Sequence, residues 1–306
     1  MPVSFGASGM NAVVTGASGL VGRALLQALP DARPLSFGAP DWQARLAATD
    51  LRDAAIFHLA ARVHRPRDSD ASAYQRDNVD KTVALANAAA EAGARVVVFV
   101  STIKVNGEET RERAFTVSDT PSPEDAHGRS KRDAELALAA ICARTGLPVH
   151  VVRPPLVYGP RVSGNLRSLL SLCDTPVPLP FGAVRNRRSF IAVDDLARLL
   201  LACARHADRG VTRTWLAAHP DPVSTAELVA ALRDALGRPR RLVAMPPSWL
   251  EAAGTLLGRG GEVRRLVRSL EIDARATTAA LDWSPRVGLA EVVAQVVAGY
   301  RAVPRT

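Results

Sequence analysis

Residues 11–29 read NAVVTGASGLVGRALLQAL, and this stretch decides the fold. Its first five residues form a short apolar run, which predicts a buried strand. The glycines Gly16, Gly19 and Gly22 follow, and then leucines and alanines at helical spacing. A strand, a glycine-rich turn and a helix in this order predict the first unit of a dinucleotide-binding sheet.

Each glycine of this turn has a predicted use. Gly16 permits the tight turn, Gly19 the close approach of a pyrophosphate, and Gly22 the close packing of helix on strand. The amino end of the helix then offers free amide groups to the phosphates. We therefore predict cofactor contacts at Gly16, Ser18, Gly19, Leu20, Val21 and Gly22. The spacing is GxxGxxG rather than GxGxxG.

The second strand, predicted over 32–37, does not settle which cofactor is used. An NAD-selective site has an acidic residue at the end of this strand for the ribose hydroxyls. Here the place falls near Ser36 or Phe37, with neither an acid nor an arginine cluster. The cofactor is NAD or NADP, and the choice stays open.

Further strands and helices alternate along the first half of the chain. Buried strands are predicted at 55–61 and 95–101, and the second ends on Ser101. A long alanine-rich helix over 72–93 separates them, with a capping box from Ser72 and a stop at Gly93. A second long helix is predicted from a capping Ser122 to about Arg144, followed by a strand over 148–153.

Beyond Val157 the pattern changes to short elements and then to helices, predicted near 165–172, 194–205, 224–236, 247–258 and 289–302, with a strand at 187–193. We therefore predict an α/β fold with a Rossmann-type, doubly wound parallel sheet in residues 1–160, completed by about 187–217. A smaller, mostly helical substrate lobe comprises 161–186 and 218–306.

Composition narrows the function classes. The net charge is +9, but the basic residues are scattered and aromatic content is only 5%, so an anionic small substrate fits better than nucleic acid. The three cysteines lie far apart, which indicates buried thiols in a reducing compartment and no metal site. No apolar run predicts a membrane span, and no leader precedes the first strand. The sequence thus predicts a cytoplasmic protein.

Eight segments, in order, resemble the extended short-chain dehydrogenase/reductase family of nucleotide-sugar epimerases, reductases and dehydratases. They cover nearly the whole chain: TGASGLVG at 15–22, HLAA at 58–61, NVDKT at 78–82, VSTIKVNGE at 100–108, HGRSK at 127–131, RPPLVYGP at 153–160, GN at 164–165 and RRSFIAVDD at 187–195.

The resemblance implies a catalytic set of Thr102, position 127 and Lys131. The family has tyrosine at the middle position, and this chain has His127. It further implies cofactor contacts at Leu59, Ala60, Ala61, Asn78, Ser101, Lys131 and Pro154, and substrate contacts at Thr102, Asn165 and Arg188. Lys81 stands where the family has glycine, and we interpret it as a surface lysine.

His127 leaves three interpretations open. The nearby Lys131 cation disfavours a second cation, so His127 is expected to be neutral near pH 7 and able to accept a proton from an alcohol. It could substitute for the tyrosine, or weaken an otherwise active enzyme. Alternatively, the protein binds a cofactor without performing this chemistry.

The residues after Thr102 narrow the reaction class that the resemblance implies. Dehydratases of the family carry an acidic pair there, and this chain has Ile103 and Lys104. The segment resembles 4-epimerases and 4-ketoreductases of UDP-N-acetyl-hexosamines in bacterial surface-polysaccharide synthesis, and it does not decide between the two reactions. In this family the two long helices, here predicted at 72–93 and 124–145, commonly pair with those of a second subunit, so a homodimer is expected.

Overall fold

The computed structural model describes residues 9–63, 70–160 and 164–302, and eight strands lie within them. In chain order they are β1 Ala12–Thr15, β2 Arg33–Leu35, β3 Ala55–His58, β4 Val96–Val100, β5 Val149–Arg153, β6 Leu156–Tyr158, β7 Phe190–Ala192 and β8 Thr212–Leu216. Six of them form one parallel sheet in the order β2-β1-β3-β4-β5-β8, and β6 pairs with β7 separately.

Helices cover both faces of this sheet and build a second lobe. They are α1 Leu20–Ala28, α2 Trp42–Ala48, α3 Ala71–Tyr74, α4 Lys81–Glu91, α5 Ala126–Thr145, α6 Gly164–Cys173, α7 Val193–Arg205, α8 Thr225–Leu236, α9 Pro247–Leu256, α10 Gly260–Val267, α11 Arg275–Leu281 and α12 Leu289–Arg301. A π-helical turn, Gln75–Asp80, joins α3 to α4, and a 3-10 turn spans Ile103–Val105.

The central strands β1, β3 and β4 are mostly apolar because both faces of the sheet are buried there. Successive side chains point to opposite faces, so Val14 joins the core under α1 and α7, while Val13 joins the core under α4 and α5. The predicted Rossmann-type, doubly wound parallel fold is confirmed.

A third core lies under the helices of the carboxyl-terminal part. It includes Tyr158, Leu170, Phe190, Val229 and Val296, contributed by β6, α6, β7, α8 and α12. The helix-rich character predicted for this part agrees with the structure, while the exact lobe boundaries stay a prediction.

The order of the strands places the ligand crevice. The chain moves from β1 outward to β2, then returns to lay β3 on the other side of β1. Ligands of open α/β sheets bind at such a switch point, outside the carboxyl ends of the strands. The turn after β1 and residues 59–61 after β3 both lie there.

The predicted starts of both long helices were wrong. Asp70, not Ser72, caps α3 by accepting from the Ala73 amide at 3.1 Å. Asp125, not Ser122, caps α5 by accepting from the Gly128 amide at 2.7 Å, while the amide of Ser122 donates to Val105. In both places the carboxylate is the better acceptor for the amides of the first turn.

The described residues contain neither a membrane-spanning helix nor a metal-ligating cluster. None of the helices there has both the length and the apolar content needed to cross a bilayer. The same residues contain no group of three metal-ligating side chains. Cys142, Cys173 and Cys203 are all buried, as expected.

Candidate active site

The glycine turn has the geometry that its sequence predicts. Gly16 has φ +67°, and a Cβ there would lie 2.7 Å from the Ala60 amide nitrogen. A Cβ on Gly22 would overlap the carbonyl of Gly16, so α1 packs directly on the turn. No described side chain caps the amino end of α1, where Gly19 is the N-cap residue. The Gly19 amide already donates to the Gly16 carbonyl at 3.0 Å, so a pyrophosphate at this turn would meet the amides of residues 20–22.

A buried series of hydrogen bonds connects β1, β3 and α4 beneath the crevice. The Thr15 hydroxyl accepts from the amides of Leu59 and Ala60, both at 3.1 Å, and so donates to His58 Nδ1 at 2.7 Å. Thr82 Oγ1 donates to the Asn78 carbonyl and accepts from His58 Nε2 at 2.8 Å. Burial lowers the pKa of His58 to about 3, so this ring is a neutral structural bridge.

Lys131 lies on α5 and reaches the end of β4. Its Nζ donates to the Val100 carbonyl at 2.8 Å and stands 4.3 Å from the centre of the Phe99 ring. Burial lowers the pKa of Lys131 to about 7, and the negative charge of Glu135 opposes that shift. The lysine is therefore close to its titration point at neutral pH.

His127 lies one helical turn before Lys131 on α5, and its ring contacts the loop after β3. Its Nδ1 is 3.2 Å from the Arg62 carbonyl oxygen. A carbonyl can only accept, so Nδ1 carries the proton and Nε2 of the neutral ring keeps its lone pair. Burial, then the charge of Lys131, lowers the pKa of His127 to about 4. The expected neutral imidazole is thus the form the structure favours at pH 7.

The amino end of α5 is fixed against the turn that follows Thr102. A Cβ on Gly128 would lie 2.9 Å from the Lys104 carbonyl, so glycine permits this close approach. Lys104 Nζ lies 2.5 Å from Asp125 and 2.9 Å from Glu108. Thr102 precedes the turn and its Oγ1 accepts from the Lys104 amide at 3.3 Å. These contacts bring Thr102, His127 and Lys131 to one edge of the sheet.

A buried ion pair supports this edge from below. Arg153, at the end of β5, makes a two-pronged contact with Glu135 at 2.9 and 2.5 Å, and both side chains are almost fully buried. Ser101 Oγ donates to the same carboxylate at 2.5 Å, and Arg153 also donates to Asn106. The Ser101 side chain thus points into this network.

Asn78 holds the loop after β3 against α5. Its Oδ1 accepts from the Arg62 amide at 2.6 Å, and its Nδ2 donates to the Arg62 carbonyl and to Ser130 Oγ. The same Arg62 carbonyl receives His127, so Asn78 sets the position of the acceptor that fixes the imidazole. Pro154, buried after β5, accepts from the Ile103 amide at 3.0 Å.

Lys81 is not the surface lysine that we expected. Its Nζ donates to the Phe37 carbonyl at 3.0 Å and to Asp77 at 2.7 Å, and only about a fifth of its side chain is exposed. The lysine thus links the backbone just after β2 to the start of α4. Its long side chain spans this distance, which a glycine at the same position could not do.

The predicted substrate residues Arg188 and Asn165 lie in the part of the chain that follows β6. Arg188 precedes β7, exchanges backbone hydrogen bonds with Val223, and donates from Nη1 to the Arg268 carbonyl at 3.0 Å. Burial lowers its pKa, which reflects a desolvated cation. Asn165 lies in the first turn of α6, and its side chain lies outside the described residues. Contacts of either residue with a substrate stay predictions.

Sequence reasoning missed several supporting residues. The spacing of Glu135, four residues after Lys131, was an available signal for a second charged position on the same helix face. The role of the Arg62 carbonyl could not be recognised in the sequence, because every residue type has a backbone carbonyl. Tyr74, with its ring centre 6.3 Å from that of His127, was also missed.

The fold and the glycine turn at the switch point define a Rossmann-type dinucleotide-binding protein. The model of the family described as "NAD dependent epimerase/dehydratase family" matches residues 12–218. The chain belongs to this family.

Relatives and solved structures agree with that assignment. The chain is 35% identical to a UDP-glucose 4-epimerase of Vibrio cholerae over 250 residues, which are 80% of this chain and 76% of that protein. The structure of MoeE5 in complex with UDP-glucose and NAD is similar at TM-score 0.73 and 26% identity, covering 95% and 98% of the two chains. RMD from Pseudomonas aeruginosa, complexed with NADPH, shares the fold at TM-score 0.76 and 19% identity, covering 96% and 100%.

Proposed function

We propose that this chain transfers hydride at C4 of a UDP-linked sugar, using NAD or NADP, as a UDP-N-acetyl-hexosamine-type 4-epimerase or 4-ketoreductase. The similarity to a UDP-glucose 4-epimerase and to a protein crystallised with UDP-glucose and NAD supports this proposal. We assign it to the cytoplasm on its cysteine usage, and to bacterial surface-polysaccharide synthesis on the resemblance of its motifs.

The observation that carries the proposal is the 3.2 Å contact between His127 Nδ1 and the Arg62 carbonyl oxygen. This contact favours the tautomer with the proton on Nδ1, in which Nε2 would accept the proton of the C4 hydroxyl as a general base. Bound NAD or NADP would accept the hydride that leaves C4. Thr102 Oγ would orient the same sugar oxygen, and Lys131 would hold the nicotinamide ribose.

This arrangement favours the epimerase. The first half-reaction leaves His127 as an imidazolium beside the new ketone oxygen, so the acid needed for the return step has just been formed. A ketoreductase must instead begin with a protonated His127, and its pKa of about 4 makes that form scarce at neutral pH.

We also propose how the rest of the chain is used. The lobe of residues 161–186 and 218–306 would hold the sugar, with Arg188 and Asn165 on the diphosphate, since a guanidinium matches phosphate oxygens with paired donors. The helix over 126–145 would pair with the helices over 71–91 of a second subunit in a homodimer.

One observation favours a second candidate, a nucleotide-binding homologue with impaired catalysis. A base whose pKa is about 4 has little proton affinity for a sugar hydroxyl, so the barrier to the chemical step stays high. Such a protein would bind its cofactor and act as a regulator or scaffold.

Assays of the wild type, His127→Gln and His127→Tyr with UDP-N-acetylglucosamine and UDP-glucose test the proposal. We expect wild-type epimerisation whose kcat/KM falls in acid through a limb near pH 4, set by His127. His127→Gln should lose roughly 10²–10⁴-fold in kcat and lose that limb. Arg129→Gln, an exposed neighbour on α5, is the matched control and should keep both.

The outcomes separate the candidates. Epimerisation without net consumption of nicotinamide supports the epimerase, and stoichiometric consumption supports the ketoreductase. Activity that appears only in His127→Tyr identifies the impaired homologue. If no variant acts on either sugar nucleotide although nicotinamide binds, the proposal of hydride transfer at C4 is wrong.

A further inference from the structure

An apolar stripe runs along the outer face of α9 and past its end. Among the large apolar side chains of the described residues, the three most exposed are Leu256 at 88%, Leu257 at 77% and Trp249 at 68%. Ala252 and Ala253 are exposed between them. These five residues follow each other at helical spacing, so they form one face, which we call the α9 stripe.

The α9 stripe is not a loosely packed part of the core. The opposite face of α9 buries Leu250, and Gly254 packs so closely on α10 that a Cβ would lie 2.6 Å from Val263. Arg268, at the end of α10, binds Glu251 at 2.9 Å and Glu109 at 2.5 Å. The hairpin of α9 and α10 is therefore fixed to the body, and the stripe faces outward.

Basic side chains border the stripe. Residues 240–268 contain six arginines against two glutamates, and Arg259 and Arg264 are exposed beside the hairpin turn. Glu251 is bound by Arg268, so Glu262 is the exposed acid of this segment. An apolar face with a tryptophan, bordered by arginines, has the composition of helices that lie in the interface of an anionic bilayer.

We propose that the α9 stripe, with Arg259 and Arg264, docks this protein on the surface of an anionic lipid bilayer. The charge distribution selects this occupant over a second copy of the chain, because a two-fold pairing of the stripe would bring the arginines of both copies together. Trp249 and the two leucines enter the headgroup region, and the arginines contact the lipid phosphates.

The docking hairpin is also connected to the candidate active site. Arg265 of α10 lies 3.5 Å from Glu108, which Lys104 connects to Asp125 at the amino end of α5. The hairpin and the segment that carries His127 are thus joined by one series of ion pairs. The docking proposal does not depend on the reaction proposed above.

Vesicle binding by the full-length protein tests the inference. Of the four tryptophans, Trp215 and Trp283 are buried and Trp42 is partly buried against Phe37. Trp249 should therefore dominate a blue shift in fluorescence, and brominated lipids should quench it. We expect binding to phosphatidylcholine vesicles that contain phosphatidylglycerol, and much weaker binding to phosphatidylcholine alone or at high salt. Trp249→Phe should keep the binding and lose the signal.

Three variants test the residues, with sedimentation as the readout. Leu256→Ser with Leu257→Ser should weaken binding about tenfold or more. Arg259→Glu with Arg264→Glu should do the same, since each basic residue at an anionic surface contributes roughly fivefold. Val117→Ser, an exposed valine outside α9, α10 and the proposed dimer helices, is the control and should bind like the wild type.

Several results would overturn the proposal. These are absence of wild-type binding to anionic vesicles, equal binding to neutral ones, or full binding by the double serine variant. A halved mass of the double serine variant in solution would identify a second copy as the occupant instead.

Discussion

Glu135 links several residues of the candidate site, although it is not part of the family's catalytic motif. Its carboxylate accepts from Ser101 and from two nitrogens of Arg153, and its charge acts on the pKa of Lys131. It is nearly fully buried, and so is Arg153. A buried pair of this kind is costly to break, because the charge that remains is neither paired nor hydrated by water.

We therefore expect Glu135→Gln to be strongly destabilising. The change leaves the Arg153 cation buried without a counter-charge, which costs about 3–5 kcal/mol in the free energy of unfolding. Without the carboxylate, the pKa of Lys131 should also fall further below its ordinary value. Denaturant unfolding measures the first effect, and the pH at which Lys131 is acylated measures the second.

Asp133→Asn is the matched control for this change. Asp133 lies on the same helix, two residues earlier, and is exposed. Its replacement should leave the unfolding midpoint and the Lys131 reactivity nearly unchanged. Equal stability of Glu135→Gln and Asp133→Asn would show that the buried pair contributes nothing.

For single residues, the sequence predicted the protonation state of His127 but not the hydrogen-bond partners of His127 and Lys81. The neutral form of His127 followed from Lys131, which is near in sequence, and the structure agrees. Which nitrogen holds the proton could not follow, because it depends on the backbone of Arg62, a residue 65 positions away. The partners of Lys81 were missed for the same reason.

The π-helical turn Gln75–Asp80 is the element that organises the crevice. It interrupts what the sequence predicts as one continuous helix, and such turns occur frequently at functional sites. Here it carries Asn78, whose amide group holds both backbone groups of Arg62 and also Ser130.

Asn78→Ala should therefore lower activity more than stability. The Arg62 amide loses its acceptor, which costs about 1–3 kcal/mol, and the carbonyl that fixes His127 is released. We expect a fall in kcat with little change in KM for the sugar nucleotide. Steady-state kinetics and thermal unfolding of the same preparation measure both effects.

Asn87→Ala provides the comparison. Asn87 lies on α4 and accepts from the exposed Arg144 at 2.8 Å, away from the crevice. Its removal should leave kcat unchanged. An unchanged kcat in Asn78→Ala as well would mean that the position of Arg62 does not matter to the reaction.

Elements were predicted well where their own residues specify them. The buried strands β1, β3 and β4 follow from short apolar runs, and α8 and α12 from helical spacing. The π-helical turn could not be predicted, because its six residues have no distinct composition and the turn is stabilised by partners in the loop after β3 and on α5. The helix α10 was missed because its turns are rich in glycine and arginine.

At the scale of the whole molecule, one glycine controls how the last helix meets the body. A Cβ on Gly299 of α12 would overlap the carbonyl oxygen of Pro160. Pro160 ends the segment after β6, whose Tyr158 is buried in the third core together with Val296 of α12. Close approach of the helix to this backbone needs a residue without a side chain.

Gly299→Ala should force α12 away from residues 158–160. Overpacking of this kind costs about 1–3 kcal/mol, and the shift should also raise KM for the sugar nucleotide, since the displaced segment leads into α6. Gly261→Ala, on α10, meets nothing within 4 Å and should be neutral or slightly stabilising. Thermal unfolding and KM compare the two variants. If Gly299→Ala matches Gly261→Ala in both measurements, the contact between α12 and Pro160 does not hold the carboxyl-terminal lobe in place.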